Sequence, residues 1–234
     1  MVYNWLVRTI FPPTCLLCGA PGARGQDLCG ACFDELPWNR HACPRCAAPL
    51  PQDADENLCG DCLKTLPPWD EARSPLAYGY PLDKLIQHFK FQGDLAVGRL
   101  LGELLAEFLA AGDGAKPDYL IPVPLHAARL QERGFNQAVE LARPVSRRLK
   151  LPVMLDVCER TRATQVQSKL DAAERRKNLQ DAFTVVKSVD RKNIAILDDV
   201  VTTGATVTAL TRALKDAGAG RVTVWSLARA ASDF

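Results

Sequence analysis

Short apolar runs bounded by polar or turn residues occur at 119–123 and 194–197, and a stretch of β-forming residues at 221–228. Runs of this length without alternation predict strands buried on both faces, as in the interior of a parallel sheet. Residues 72–80 predict another strand, with shorter candidates near 153–157 and 183–186. Between them, apolar positions recur at helical spacing over 82–91, 95–109, 135–149 and from Gly204 onward. In the second of these segments Arg99, Glu103 and Glu107 stand at i, i+4 and i+8, a single polar stripe on an amphipathic helix that argues against a membrane span. Strands alternating with helices predict an α/β fold, a mostly parallel sheet with helices on both faces. Ligands of such sheets bind beyond the carboxyl ends of the strands, here where the loops after Val123 and Asp199 meet.

The first part of the chain is organised differently. Eight of the nine cysteines form four C-x-x-C pairs: Cys15/Cys18, Cys29/Cys32, Cys43/Cys46 and Cys59/Cys62. Each pair can offer two thiolates, and two pairs complete a tetrahedral site of the kind zinc occupies. Two structural Zn2+ ions are therefore expected, in a double zinc-ribbon-like module over residues 1–68. An iron–sulfur cluster or a redox pair is the competing reading, but a thioredoxin-like role needs one such pair beside a βαβ unit, not four in a row. Sequential pairing closes each site through a short loop at low entropic cost; alternate, cross-braced pairing stays open from spacing alone. Pro67-Pro68 marks the boundary with a second domain over residues 69–234.

Charge sharpens this division. Residues 1–70 carry five Lys/Arg against eight Asp/Glu, whereas residues 71–234 carry twenty-four against nineteen. Each four-cysteine zinc site adds a formal charge of about −2, so the cysteine module is poorly suited to a phosphate backbone. Any anion belongs to the second part, and direct DNA binding by the whole chain is left open. With 47% hydrophobic and 24% charged residues the chain is a globular protein. Asn4, Arg8 and Pro12-Pro13 break up the apolar residues near the start, so no secretory segment is read there. A cytoplasmic location with reduced thiols is expected.

The chemistry concentrates at residues 194–210. Asp198 and Asp199 follow the buried run, and Thr202, Thr203, Gly204, Ala205 and Thr206 lead into a helix. Free N–H groups at a helix start, with a glycine permitting close approach, make a phosphate cradle. The carboxylates suit the hydroxyls of an attached sugar, or a magnesium ion, because they would repel the phosphate itself. No G-x-x-x-x-G-K and no G-x-G-x-x-G is present, which excludes a P-loop and a dinucleotide fingerprint. The plain alternative is a buried strand followed by a threonine-capped helix.

This strand, acidic pair and threonine-glycine loop resemble the 5-phosphoribosyl 1-diphosphate (PRPP) motif of type I phosphoribosyltransferases. The four cysteine pairs followed by PVPLHAARLQERGFNQ, RTRATQVQ, RRKNLQDAF and LDDVVTTGAT resemble the ComF family of competence-associated phosphoribosyltransferase-like proteins, over nearly the whole chain. The resemblance implies that Asp198 and Asp199 face the ribose hydroxyls and that residues 202–206 hold the 5-phosphate. Val123, Pro124, Leu125 and His126 would form the pyrophosphate loop, and Arg162, with Thr164, Gln165 and Lys169, would belong to a catalytic lid. Arg129 and Arg133 are phosphate ligands or surface cover, and Asn136 and Gln137 are ligands or helix caps. Mg2+ would accompany PRPP. The implied reaction displaces pyrophosphate with an unidentified acceptor. The implied setting is DNA uptake or use of DNA as a nutrient, with proteins of the uptake machinery as partners. Purine-salvage relatives carry an aspartate where this chain has Thr202, a poor general base, so a purine acceptor is not implied. The alternative is a non-catalytic interaction protein that senses PRPP or keeps the fold as a scaffold.

Overall fold

The computed structural model describes residues 12–51, 58–161 and 182–231. Its sheet is parallel throughout, in the order β1 (Glu71–Arg73), β7 (Arg221–Arg229), β6 (Asn193–Val201), β3 (Tyr119–Pro122). A short β2 (Leu76–Ala77) continues β1 along the same side of β7. The two central strands pair from Asn193↔Arg221 to Val201↔Arg229.

Successive residues of these strands serve two cores, which is why their sequences are apolar without alternation. Leu120, Ala195, Leu197, Trp225 and Leu227 face one core. Ile121, Ile194, Ile196, Val222 and Val224 face the other. The first core is completed by α3 (Leu82–Gln87), α4 (Leu95–Ala111) and α6 (Gln137–Leu149). The second is completed by α7 (Ala205–Asp216) and by an antiparallel pair, β4 (Cys158–Arg160) with β5 (Phe183–Val185). Asp94 starts α4 by accepting from the N–H groups of Ala96 and Val97.

Several expected elements differ. The strand read over 72–80 is split, because Pro75 has no N–H to give the ladder between β1 and β2. No strand forms over 153–157: only Val153 bridges to Leu120, through the Leu120 N–H on the Pro152 carbonyl and the Met154 N–H on the Leu120 carbonyl, before the chain turns away. The helix read over 82–91 ends at Gln87 and widens into a π turn, His88–Gln92, closed by Gly93 at φ 68°. The connection after Val123, read as a loop, contains α5 (Ala127–Arg133), whose first turn His126 caps through Nδ1.

The cysteine segments, with α1 (Gly30–Asp34) and α2 (Gly60–Lys64), pack on opposite faces of the sheet domain. Cys15, Leu28, Cys32 and Leu36 join the core under α4. The polar stripe of α4 docks this segment: Arg99 pairs with Asp27 at 2.5 Å and Glu107 accepts from Gln26 at 2.8 Å. Cys43, Cys46, Cys59 and Cys62 join the other core with Trp69 and Ala72. Among the described residues no helix is long and apolar enough to cross a membrane.

Candidate functional site

The eight paired cysteines form two clusters, Cys15/Cys18/Cys29/Cys32 and Cys43/Cys46/Cys59/Cys62, with the Sγ atoms of each within 4.8 Å of one another. Pairing is therefore sequential. Cys18 and Cys29 approach to 3.6 Å and Cys46 and Cys59 to 3.4 Å, near the separation that Zn–S bonds of about 2.3 Å in a tetrahedron require. The first cysteine of each cluster favours the thiolate a metal needs. Burial opposes ionisation of both, but backbone N–H groups of Cys29, Cys18 and Leu17 lower Cys15 to about 6. Those of Cys59, Cys46 and Arg45 lower Cys43 to about 7. Cys158, outside both clusters, is buried and pushed up to about 12, an inert core thiol.

The second site lies at the carboxyl end of β6. Asp198 and Asp199 stand on the strand itself, which runs on to Val201. Burial, and then the neighbouring Asp199 carboxylate, push Asp198 up to about 7. Its Oδ1 accepts from the Asp199 N–H at 2.9 Å. Asp199 is held by Lys90, whose Nζ lies 2.6 Å from Oδ2. In sequence Lys84, His88 and Lys90 read either as neighbours of this site or, more commonly for such residues, as a solvated helix face; the π turn brings Lys90 here. Next to it Phe89 is anchored against α4, where a Cβ on Gly98 would lie 2.4 Å from the ring. Arg160, half-buried over the Phe183 ring, feels both Asp198 and Arg129, so these three belong to one neighbourhood. Nothing in the spacing singles out Arg160.

A pH test follows from Asp198. A carboxyl whose folded value is raised gives stability that is fully present below its ordinary value of 3.8 and is lost progressively as pH rises to about 7. In ligand-free buffer Asp198→Asn is expected to melt closer to the parent at pH 5 than at higher pH. At pH 8.5 it should melt a few degrees above the parent. Equal melting temperatures at both pH values would count against a raised Asp198 carboxyl.

Beyond the acidic pair, Thr202 and Thr203 are exposed and Gly204, at φ 75°, is the N-cap of α7. No side chain caps this helix; the Thr203 hydroxyl only reaches the Ala205 N–H at 3.4 Å. The N-cap residue itself thus leaves the helix start uncapped, and among the described residues the one threonine contact there is this long bond to the Ala205 N–H. Ala205 and Thr206 open that turn. Gly204 is enforced from behind as well: a Cβ there would lie 3.2 Å from the ring of Trp69.

The neighbouring loop after β3 is tied down by Asn136, which caps α6 at Ala138 N–H and donates to the Val123 carbonyl at 3.0 Å. Asn136 is thus a cap. Val123 is buried, with its N–H on the Leu197 carbonyl, while Pro124 and Leu125 are half-buried beyond it. Arg133 donates to Gln137 at 3.2 Å. The Gln137 Nε2 is buried without a partner among the described residues, a donor left for a ligand. Arg162, Thr164, Gln165 and Lys169 all lie outside the described residues.

Comparison with known proteins identifies both parts of the chain. The chain matches the double zinc ribbon domain over residues 6–63 and the phosphoribosyl transferase domain over residues 95–233. Competence protein F of Haemophilus influenzae is 36% identical over 87% of this chain and 90% of its own. DNA utilization protein YhgH of Escherichia coli O157:H7 is 38% identical over 93% and 97%, respectively. Competence protein ComFC of Bacillus subtilis is 29% identical over 87% and 85%.

Proposed function

This chain belongs to the ComF family, a phosphoribosyltransferase domain behind a double zinc ribbon, and we propose that it binds PRPP with magnesium and transfers the phosphoribosyl group to an acceptor. The observation that carries this reading is the α7 N-terminus. Its cap is a glycine with no side-chain bond, shortly past the end of a strand bearing Asp198 and Asp199. The 5-phosphate would take the N–H groups at residues 203–206, and the ribose hydroxyls would donate to Asp198 and Asp199. Val123, Pro124, Leu125 and His126 would face the diphosphate, with Arg133 beside them. Lys90, on Oδ2, would keep Asp199 from repelling the substrate, while Oδ1, which accepts from the Val200 N–H at 2.7 Å, has a further lone pair for a hydroxyl. Magnesium arrives with the substrate, where it offsets charge on the departing diphosphate. The bond from the anomeric carbon to pyrophosphate breaks, and one to the acceptor forms. Arg162 would then close over the leaving group. Residues 1–68 form the structural metal module in this reading, and residues 69–234 the ligand-binding domain.

A second reading is favoured by Thr202, which supplies no general base. In it the chain senses PRPP as an interaction protein of DNA uptake, in keeping with relatives named for competence and DNA utilization.

Calorimetry with PRPP and magnesium tests the shared premise. Binding is expected in the wild type, and Asp199→Asn should weaken it about tenfold or more while the fold persists. No heat at millimolar PRPP would sink both readings. A screen for pyrophosphate release across candidate acceptors then separates transferase from sensor.

A further inference from the structure

Arg229 closes β7 and is 7% exposed, yet among the described residues it pairs with no carboxylate. Its side-chain hydrogen bonds there go to carbonyl oxygens. Nε donates to Cys46 at 3.0 Å, and Nη1 donates to Val201 and Ala230 at 3.0 Å each and to Thr202. One guanidinium therefore spans from a cysteine of the second metal cluster to the start of the phosphate loop. In a trans peptide the N–H points away from the preceding C=O. With the Val201 and Thr202 carbonyls drawn inward to Arg229, the N–H groups of Thr202 and Thr203 are turned outward. That is the side on which a phosphate would sit.

A second link runs in parallel. Arg45, in the same cysteine knuckle, donates to the carbonyls of Pro67, Trp69 and Asp70. The Trp69 indole donates back to the Arg45 carbonyl at 2.5 Å, and its ring backs Gly204. The loop is thus braced at both ends by one knuckle. The electrostatics favour the same coupling. A buried, unpaired cation is costly, and a zinc tetrathiolate with a formal charge of about −2 is the countercharge beside it. The first cluster docks elsewhere, on α4 through Asp27 and Gln26.

We propose that Arg229 is a positioning residue that couples the second zinc site to the phosphate loop. Zinc held by Cys43, Cys46, Cys59 and Cys62 and a phosphate monoester in the loop then tighten each other's binding. The coupling rests on the loop being a phosphate cradle and goes beyond it by linking that cradle to a metal. By thermodynamic linkage the two effects are equal in size.

The test uses the full, zinc-loaded chain and ribose 5-phosphate. Alkylation by iodoacetamide in the presence of a chelator, read by peptide mass spectrometry, separates Cys43–Cys62 from Cys15–Cys32. Saturating ribose 5-phosphate is expected to slow alkylation of the second cluster on the order of tenfold and to leave the first cluster unchanged. In Arg229→Met, with two zinc ions still bound, this protection should vanish and ribose 5-phosphate affinity should fall by a similar factor. Ligand binding with no change at the second cluster, or equal protection of both, overturns the coupling but spares the cradle. Wild-type affinity and protection in Arg229→Met overturn the role of Arg229. A wild type that does not bind ribose 5-phosphate removes the cradle and the coupling together. Should Arg229→Met fail to fold, the wild-type alkylation pattern decides alone.

Discussion

Gly204→Val is expected to abolish binding of PRPP and of ribose 5-phosphate alike, the largest ligand effect of any single change in the sheet domain. Two independent constraints converge on this residue. Its φ of 75° is a conformation that a β-branched side chain adopts only under strain, and its Cβ would lie 3.2 Å from the Trp69 ring. Relief requires either Trp69 to leave its place against the second cysteine knuckle or the loop to lift toward solvent. Either movement disturbs the N–H groups of the first turn of α7. Stability should fall too, by about 1–3 kcal/mol, the usual range for a forced backbone outlier. Thr203→Leu separates the two effects. Thr203 is exposed, so this change should remove ligand binding by crowding the cradle while leaving the melting temperature within a few degrees. Calorimetry and thermal unfolding on both variants are the measurements. Full ribose 5-phosphate affinity in Thr203→Leu would place the ligand elsewhere.

Metal removal is expected to have the largest effect on the fold. Reductively purified protein should contain two zinc ions per chain by elemental analysis; one or none would reject the two-site assignment. Structural zinc contributes an apparent ~10–16 kcal/mol to small zinc domains, comparable with the whole stability of a domain at ~5–15 kcal/mol. Each cluster belongs to a core of the sheet domain, so losing either should destabilise the entire chain. The ligands should not be equivalent. Cys43 is fully buried, whereas Cys18 is exposed at the edge of its cluster. Cys43→Ser should therefore reduce soluble yield severely, and Cys18→Ser less so. Undiminished yield in both would mean that the cores do not depend on the clusters, and equal losses would mean that the buried and exposed ligands are equivalent.

Much of this was legible without coordinates because the signals are local. A C-x-x-C pair already places two thiolates within reach of one ion, and zinc needs only two such pairs. The unbroken apolar runs 119–123 and 194–197 identify strands covered on both faces. The acidic pair and threonine-glycine loop after the second run are contiguous, so chemistry and placement come together in one stretch.

What tertiary structure alone decided are the contacts between residues far apart in the chain. Which knuckles share a metal depends on how the module folds back on itself, and spacing permits both arrangements. Lys90 reaches Asp199 because a helix widens into a π turn and Phe89 lodges against Gly98, a packing event with no sequence period. Arg229 looks like one more polar residue at a strand end, and Trp69 like part of a linker. Buried arginine is costly unless its donors find acceptors, and here those acceptors are backbone carbonyls of Cys46, Val201, Thr202 and Ala230. Carbonyls are the same in every residue, so no pattern of side chains could have announced them. The sequence by itself determined the four cysteine pairs and the acidic and threonine-glycine stretch, which are local; only the packing of Arg229 at the end of β7 brings Cys46 and residues 201–202 onto one guanidinium.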